Sequence, residues 1–153
     1  MRREWEMIRM ATAADLERIA EIEIFNYRLF FYPIFQDDDF YFQELTVSHR
    51  AAQLQDKIGT LWVYDDGVVK GFVMAAEGEV QKLFVEPVLQ GKGIGAALLE
   101  YAMAETGAKE LWALEKNVRA IRFYQRHGFV VTKDRKPEED TVEYLVRLEN
   151  RGE

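Results

Sequence analysis

A chain of 153 residues has room for one core of ordinary size but not for two, and 48% hydrophobic with 31% charged residues excludes a disordered segment. The formal net charge of -7 excludes general nucleic-acid binding, which relies on clustered Lys and Arg, and suits a cationic partner better. Cysteine is absent, which rules out a disulfide framework and a thiol nucleophile.

No apolar run reaches the roughly 20 residues of a bilayer span. The opening Met1-Arg2-Arg3-Glu4-Trp5-Glu6 lacks the apolar centre of a signal peptide, so a cytoplasmic protein with no membrane partner is expected. A first strand is expected at Glu6 to Met10, and Thr12 with Asp15 is spaced as a cap and its partner for a helix starting at Ala13. Leu16, Ile19, Ala20, Ile22 and Phe25 carry that helix until the pattern breaks near Pro33, leaving a loop in the mid-thirties. A second helix is predicted over Phe40 to Asp56.

Leu61 to Tyr64 and Val68 to Ala76 flank Asp65-Asp66-Gly67 as a hairpin, and a turn at Glu77-Gly78 leads into a third strand, Val80 to Val85. Ile94 to Thr106 repeats its apolar residues at three and four, with Gly107 placed as a C-cap. Leu111 to Glu115 reads as a short buried strand, Asn117 as the cap of a helix to His127, and Phe129 to Thr132 as a strand. A polar turn is predicted at Lys136 to Asp140, a last strand at Thr141 to Leu148, and a frayed tail at Asn150 to Glu153. The order β-α-α-β-β-β-α-β-α-β-β describes one α/β (α+β mixed) domain over residues 1–153, a mixed sheet covered by helices.

Gln90-Gly91-Lys92-Gly93-Ile94-Gly95 lies between a strand and a helix, where backbone N–H groups and the helix dipole favour an anion. A flexible turn alone seldom needs glycine at alternate positions. A P-loop would need Ser or Thr after Gly-Lys, and Gly93 follows Lys92. The dinucleotide fingerprint G-x-G-x-x-A is met by Gly91, Gly93 and Ala96, with Glu115 ending a strand downstream. In that fold, however, the strand turns directly into the glycines, whereas Glu86-Pro87-Val88-Leu89-Gln90 intervenes here.

Leu83-Phe84-Val85-Glu86-Pro87 followed by Gln90-Gly91-Lys92-Gly93-Ile94-Gly95 resembles the acetyl-CoA signature of the GNAT N-acetyltransferase superfamily, [Gln/Arg]-x-x-Gly-x-[Gly/Ala] after a strand and short loop. A second block, Asn117-Val118-Arg119-Ala120-Ile121-Arg122-Phe123-Tyr124 ending in Gly128-Phe129, resembles the family's other motif. The resemblance implies a GNAT-like, mostly antiparallel sheet of about seven strands flanked by about four helices. It also implies acetyl-CoA as cosubstrate and direct attack on it by a primary amine, with no covalent enzyme intermediate. Backbone from Gly91 through Lys92, Gly93, Ile94 and Gly95 to Ala96 would hold the pyrophosphate, next to Gln90, and the main chain around Leu83, Phe84 and Val85 would pair with pantetheine. Asn117 would meet the pantetheine amides, Ala120 and Phe123 would border the cofactor, and Tyr124 would protonate the leaving thiolate. Glu79 resembles the acidic residue many members carry as general base, with Glu77 and Glu115 in reserve. The segment from Phe25 to Asp56 usually shapes the acceptor site in this family.

Helical spacing places Asn117, Ala120 and Tyr124 within about 60° of one another at about 100° per residue. Arg119, Arg122 and Arg126 fall on the opposite side, as a solvated face would. Asp37-Asp38-Asp39 reads first as a helix start and second as an attraction for a cationic acceptor. Phe30, Phe31, Tyr32 and Phe35 fit an acceptor wall and a small core equally well. His49 and His127 have no metal-ligand company, so no metal is expected. A homodimer stays open, as does a non-catalytic acyl-CoA-binding sensor in place of an enzyme.

Overall fold

A computed structural model describes residues 3–152. The expected first strand is shorter than predicted: 3-10 turns occupy Arg3–Met7, and β1 is Ile8–Met10. The Trp5 ring packs edge-on against Tyr101, 5.5 Å between centroids, which keeps this segment out of the sheet. Asp15 then accepts from the Thr12 backbone at 2.8 Å, closing a short 3-10 turn before α1, Leu16–Asn26.

The helical course does not break near Pro33. A wide π-helical turn at Tyr27–Phe31 leads into α2, Tyr32–Phe35, where Pro33 falls in a first turn that needs no N–H from it. The chain leaves the helix at Gln36, in left-handed conformation (φ 54°). The predicted helix over Phe40 to Asp56 is instead divided. A π-helical turn at Phe40–Glu44 ends at Leu45, Thr46 caps α3 (Val47–Leu54) through His49 N, and 3-10 turns fill Gln55–Thr60.

The remaining strands are β2 (Leu61–Asp65), β3 (Val69–Ala76), β4 (Glu79–Val85), β5 (Glu110–Leu114), β6 (Phe129–Pro137) and β7 (Tyr144–Asn150). They form one sheet in the order β1-β2-β3-β4-β5-β7-β6, antiparallel except between β4 and β5. β6 runs further than its apolar start suggests, because its distal part is tied to β7 by polar groups: Asp134 accepts from Arg147 at 2.7 Å and Thr132 donates to the Arg147 carbonyl. β7 starts later because the Thr141 hydroxyl folds back on the Glu138 carbonyl. It also ends later, so Asn150 belongs to the sheet, donating from its side chain to His127 O at 3.0 Å.

Two further helices, α4 (Ile94–Thr106) and α5 (Val118–Arg126), complete the fold. α4 covers one sheet face through Leu98, Leu99 and Ala102 against Val73, Ala75 and Val80. The opposite face, with Leu61, Val63, Phe72 and Met74, is covered by α1 and α3 through Ile19, Ile22 and Leu54. Two departures from regularity position the site. In the β3–β4 register Val80 faces Ala75 and Lys82 faces Met74, so Gln81 is surplus and forms a bulge. Between β4 and β5, the described residues supply a single register pair, Glu79 with Glu110, so the strands part toward Val85.

Candidate active site

The glycine loop ends in a bare helix terminus. Gly91 (φ 82°) and Gly93 (φ 89°) hold conformations that side chains rarely adopt, and nothing lies within 4 Å of where a Cβ would stand at either. Gly93 is the N-cap of α4 and no side chain caps it. The first intrahelical bond is Ala97 N to Gly93 O at 3.0 Å, so the N–H groups of Ile94, Gly95 and Ala96 have no helical partner. Ile94 is buried and anchors the helix start, while Lys92 is exposed. Gly95 is different: a Cβ there would meet Phe123 and Val85 at 3.6 Å, an ordinary contact.

The parted edge of β4 lies beside this loop. Phe84 pairs with Phe72 and the Glu86 N–H donates to Lys70 O, which turns the main-chain groups of Leu83 and Val85 away from β3 into the split. The Val85 carbonyl already accepts from Asn26 Nδ2 at 2.9 Å and Gln90 Nε2 at 3.1 Å. An added strand would therefore find Leu83 and the Val85 N–H.

From the other side of the split comes α5. Asn117 caps it, its Oδ1 accepting from Ala120 N at 3.3 Å, which leaves the amide nitrogen for a ligand. Phe123 packs over Gly95, and Tyr124 packs edge-on against Phe123 and Phe129. Burial pushes the Tyr124 phenol well above its ordinary value, and among the described residues its hydroxyl has no hydrogen-bond partner. Arg122 and Arg126 are exposed as expected, but Arg119 departs from a plain solvated face. Its guanidinium donates to Gln90 Oε1 and lies 4.4 Å from the centre of the Phe30 ring.

Glu79 stands where the strands part. Burial pushes its carboxyl above the usual range, with Lys136 opposing and Glu110 and Glu77 adding. Because Val80 belongs to the core under α4, its neighbour Glu79 faces the opposite side, toward α1. Of the reserves, Glu115 is exposed and held below its ordinary value by Arg135, and Glu77 occupies the β3–β4 turn. His49 bonds Gln53 and His127 bonds Phe123 O. Phe31, Tyr32 and Phe35 pack on a small core of Ile24, Tyr41 and Leu45. Asp37 caps Phe40 N and Asp38 accepts from the Tyr32 hydroxyl.

Sequence reasoning missed a polar group under β4 in which Glu23 meets Arg50 and Lys82, with Tyr27 beside it. The available signal was Glu23 itself, an acid between Ile22 and Ile24 at the centre of an apolar helix stripe.

A family model described as "Acetyltransferase (GNAT) domain" matches residues 57–131, the stretch containing the split, the loop and α5. An uncharacterized N-acetyltransferase of Archaeoglobus fulgidus is 33% identical over 135 residues, 76% of this chain and 88% of that protein. The chain belongs to the GNAT acetyltransferase family. The peptidyl-lysine N-acetyltransferase YiaC of Escherichia coli is 40% identical over 70 residues, 44% of this GNAT chain and 48% of YiaC, so the match spans about half of that relative. The PaiA N-acetyltransferase of Thermoplasma acidophilum, solved with coenzyme A, shares the fold with a TM-score of 0.71 at 20% identity, covering 92% of this chain and 96% of that one. No described helix is long and apolar enough to cross a membrane, and among the described residues no three His, Asp or Glu side chains converge as a metal site would need.

Proposed function

We propose that this protein transfers an acetyl group from acetyl-CoA to a primary amine by direct attack. The observation that carries the reading is the opening between β4 and β5, closed at Glu79 and leading to an uncapped helix N-terminus at Gly93. Backbone donors at Ile94, Gly95 and Ala96 suit a pyrophosphate, and the free main-chain groups at Leu83 suit an amide-bearing arm. Bound acetyl-CoA supplies an activated acetyl group as a thioester, with coenzyme A leaving as a thiolate.

Glu79 and Tyr124 divide the proton transfers. An amine with a pKa of about 10.4 is only about 0.04% neutral at pH 7, so a base that removes its proton is needed. Glu79, raised by burial, faces the α1 side. Tyr124 approaches from the α4 side, kept protonated by burial, and its unpartnered hydroxyl is suited to donate to the departing sulfur. A donor and an acceptor on opposite faces of one opening match a one-step transfer through it. The name of YiaC makes a peptide lysine one acceptor class to test beside small amines. A free-thiol assay with acetyl-CoA across both classes, with mass spectrometry of the products, tests the reading. Binding of acetyl-CoA with no thiol release from any amine would instead identify a sensor.

A further inference from the structure

The proposed reaction leaves one group of buried charges unused. Glu23 is fully buried and receives Arg50 Nε at 2.6 Å and Lys82 Nζ at 3.0 Å. Lys82 also donates to the Tyr27 hydroxyl at 2.5 Å. Burial would push the Glu23 carboxyl up, yet Lys82 and Arg50 hold it below its ordinary value, so it is ionised. Burial holds the Tyr27 phenol above its ordinary value, so it is neutral at physiological pH. Two cations therefore share one carboxylate, and among the described residues their ion pairs reach no second one. A surplus positive charge in a partly dry setting is costly unless an anion meets it.

That charge has a direction. Glu23 is sealed in, whereas the Lys82 side chain keeps 23% of its surface exposed and that of Arg50 19%. A ligand reaching this side meets cation first. Lys82 uses two of its three N–H donors on Glu23 and Tyr27, which leaves one. On β4, Lys82 and Glu79 face the same side, opposite their β3 partners Met74 and Ala76, which stand two residues and roughly 7 Å apart. The wall beside them is aromatic: Tyr27 stacks on Phe31 at 4.8 Å and meets Phe84 edge-on at 5.6 Å.

We propose that Lys82, backed by Glu23 and Arg50, is a carboxylate subsite, and that the acceptor is a primary amine with a carboxylate several bonds from its nitrogen. The proposal rests on the acetyl-transfer reading and names the substrate class of that site. With its carboxylate on Lys82, such a molecule lays its apolar body along Tyr27 and Phe84 and brings its amine toward Glu79. The nearby cation also disfavours the protonated amine.

Matched pairs test this. With acetyl-CoA, thiol release is measured for 4-(aminomethyl)benzoate against 4-(aminomethyl)benzamide, and for lysine peptides in which Glu or Gln follows the lysine. On the coenzyme A-loaded protein, calorimetry compares the unreactive 4-methylbenzoate and 4-methylbenzamide. The wild type should prefer the carboxylate by at least about tenfold in kcat/KM, and Lys82→Met should bring the ratio near one mainly through KM. Lys82→Met leaves Arg50 and Glu23 as a neutral pair, so its melting temperature and coenzyme A affinity should stay near wild type. Lys70→Met, a change of the same charge at a lysine paired with Asp66 away from this cluster, should keep the preference. A preference confined to the Glu peptide and lost in Lys82→Met supports the subsite with a peptide side chain as the source. Calorimetric binding of 4-methylbenzoate that disappears in Lys82→Met, without turnover of any amine, supports the subsite and sinks the transfer reading. Equal use of acid and amide in both series, an unchanged ratio in Lys82→Met, or neither binding nor turnover of the carboxylates overturns the subsite.

Discussion

Asn26 and Gln90, 64 residues apart in the chain, are bonded amide to amide at 2.9 Å and both donate to the carbonyl of Val85. The glycine loop is thereby fastened to α1 and to the parted edge of β4 by a buried acceptor with two donors. Asn26→Leu removes one donor and the anchor of the other, so it should lower stability by about 1–3 kcal/mol. Denaturant titration measures that loss. Acetyl-CoA affinity should fall with it, and an unaltered midpoint would show that the fastening contributes nothing.

The loop itself is tested at Gly93. Its φ of 89° and the open space around it mean that a Val side chain strains the backbone and enters the region before the bare N–H groups. Gly93→Val should weaken acetyl-CoA binding by at least about tenfold in calorimetry, with or without a chelator present. Normal affinity in a folded variant would count against the cradle.

Tyr124→Phe separates chemistry from packing. Because the hydroxyl has no hydrogen-bond partner among the described residues, deleting it should leave the melting temperature where it was. A general acid is worth about 10²–10⁴-fold, and a thiol with a pKa near 8.5 leaves tolerably unaided, so kcat should fall by at least about tenfold without vanishing. Parental turnover, under conditions where chemistry is rate-limiting, would pass the proton donation to solvent.

Glu79 carries a pH signature. Its carboxyl is raised by burial, so kcat/KM should climb with pH through that raised value as the base ionises, and Glu79→Gln should lose both this limb and much of the rate. The stability effect has the opposite sign. A raised folded-state pKa means the fold holds the proton more tightly than the unfolded chain. The stabilisation is then complete below the ordinary carboxyl value and disappears as pH rises through the raised one. Glu79→Gln should therefore melt no lower than wild type at neutral pH, and a lower midpoint would mark the residue as structural.

Glu23→Gln should be the opposite kind of change. It leaves Arg50 and Lys82 facing each other with no carboxylate between them, and losing one member of a buried ionic group costs about 3–5 kcal/mol. A midpoint within error of wild type would mean that water reaches the cluster freely.

The reach of the sequence can be judged residue by residue. The helix over Ile94 to Thr106 was legible to its ends because Gly93 and Gly107 both take left-handed conformations that glycine advertises. The stretch from Tyr27 to Glu44 was not. Its two π-helical turns break the 3.6-residue spacing on which apolar patterns depend, and Pro33 sits where a helix tolerates it. Asn117 was legible as the cap of α5, since its side chain accepts from Ala120 N. Arg119 was misplaced by helical counting, since a long side chain can turn back across its helix end to Gln90 and Phe30. Glu23, Arg50 and Lys82 come from three elements, and no local period connects them.

The surplus residue at Gln81 fixes which neighbours Glu79 has. In an unbroken strand counted back from Val85, odd positions would share its face, and Glu79 would point under α4 with Val80 turned out of that core. The bulge inverts the parity beyond it, so that Val80 reaches the core and Glu79 joins Lys82 and Phe84 on the α1 side. Deleting Gln81 alone would remove the surplus residue and leave a regular strand in which Val80 still faces Ala75 and Lys82 still faces Met74, so Glu79, Val80 and Lys82 would keep their faces. The bulge thus absorbs the one residue by which the spacing from Val85 back to Glu79 departs from strict alternation.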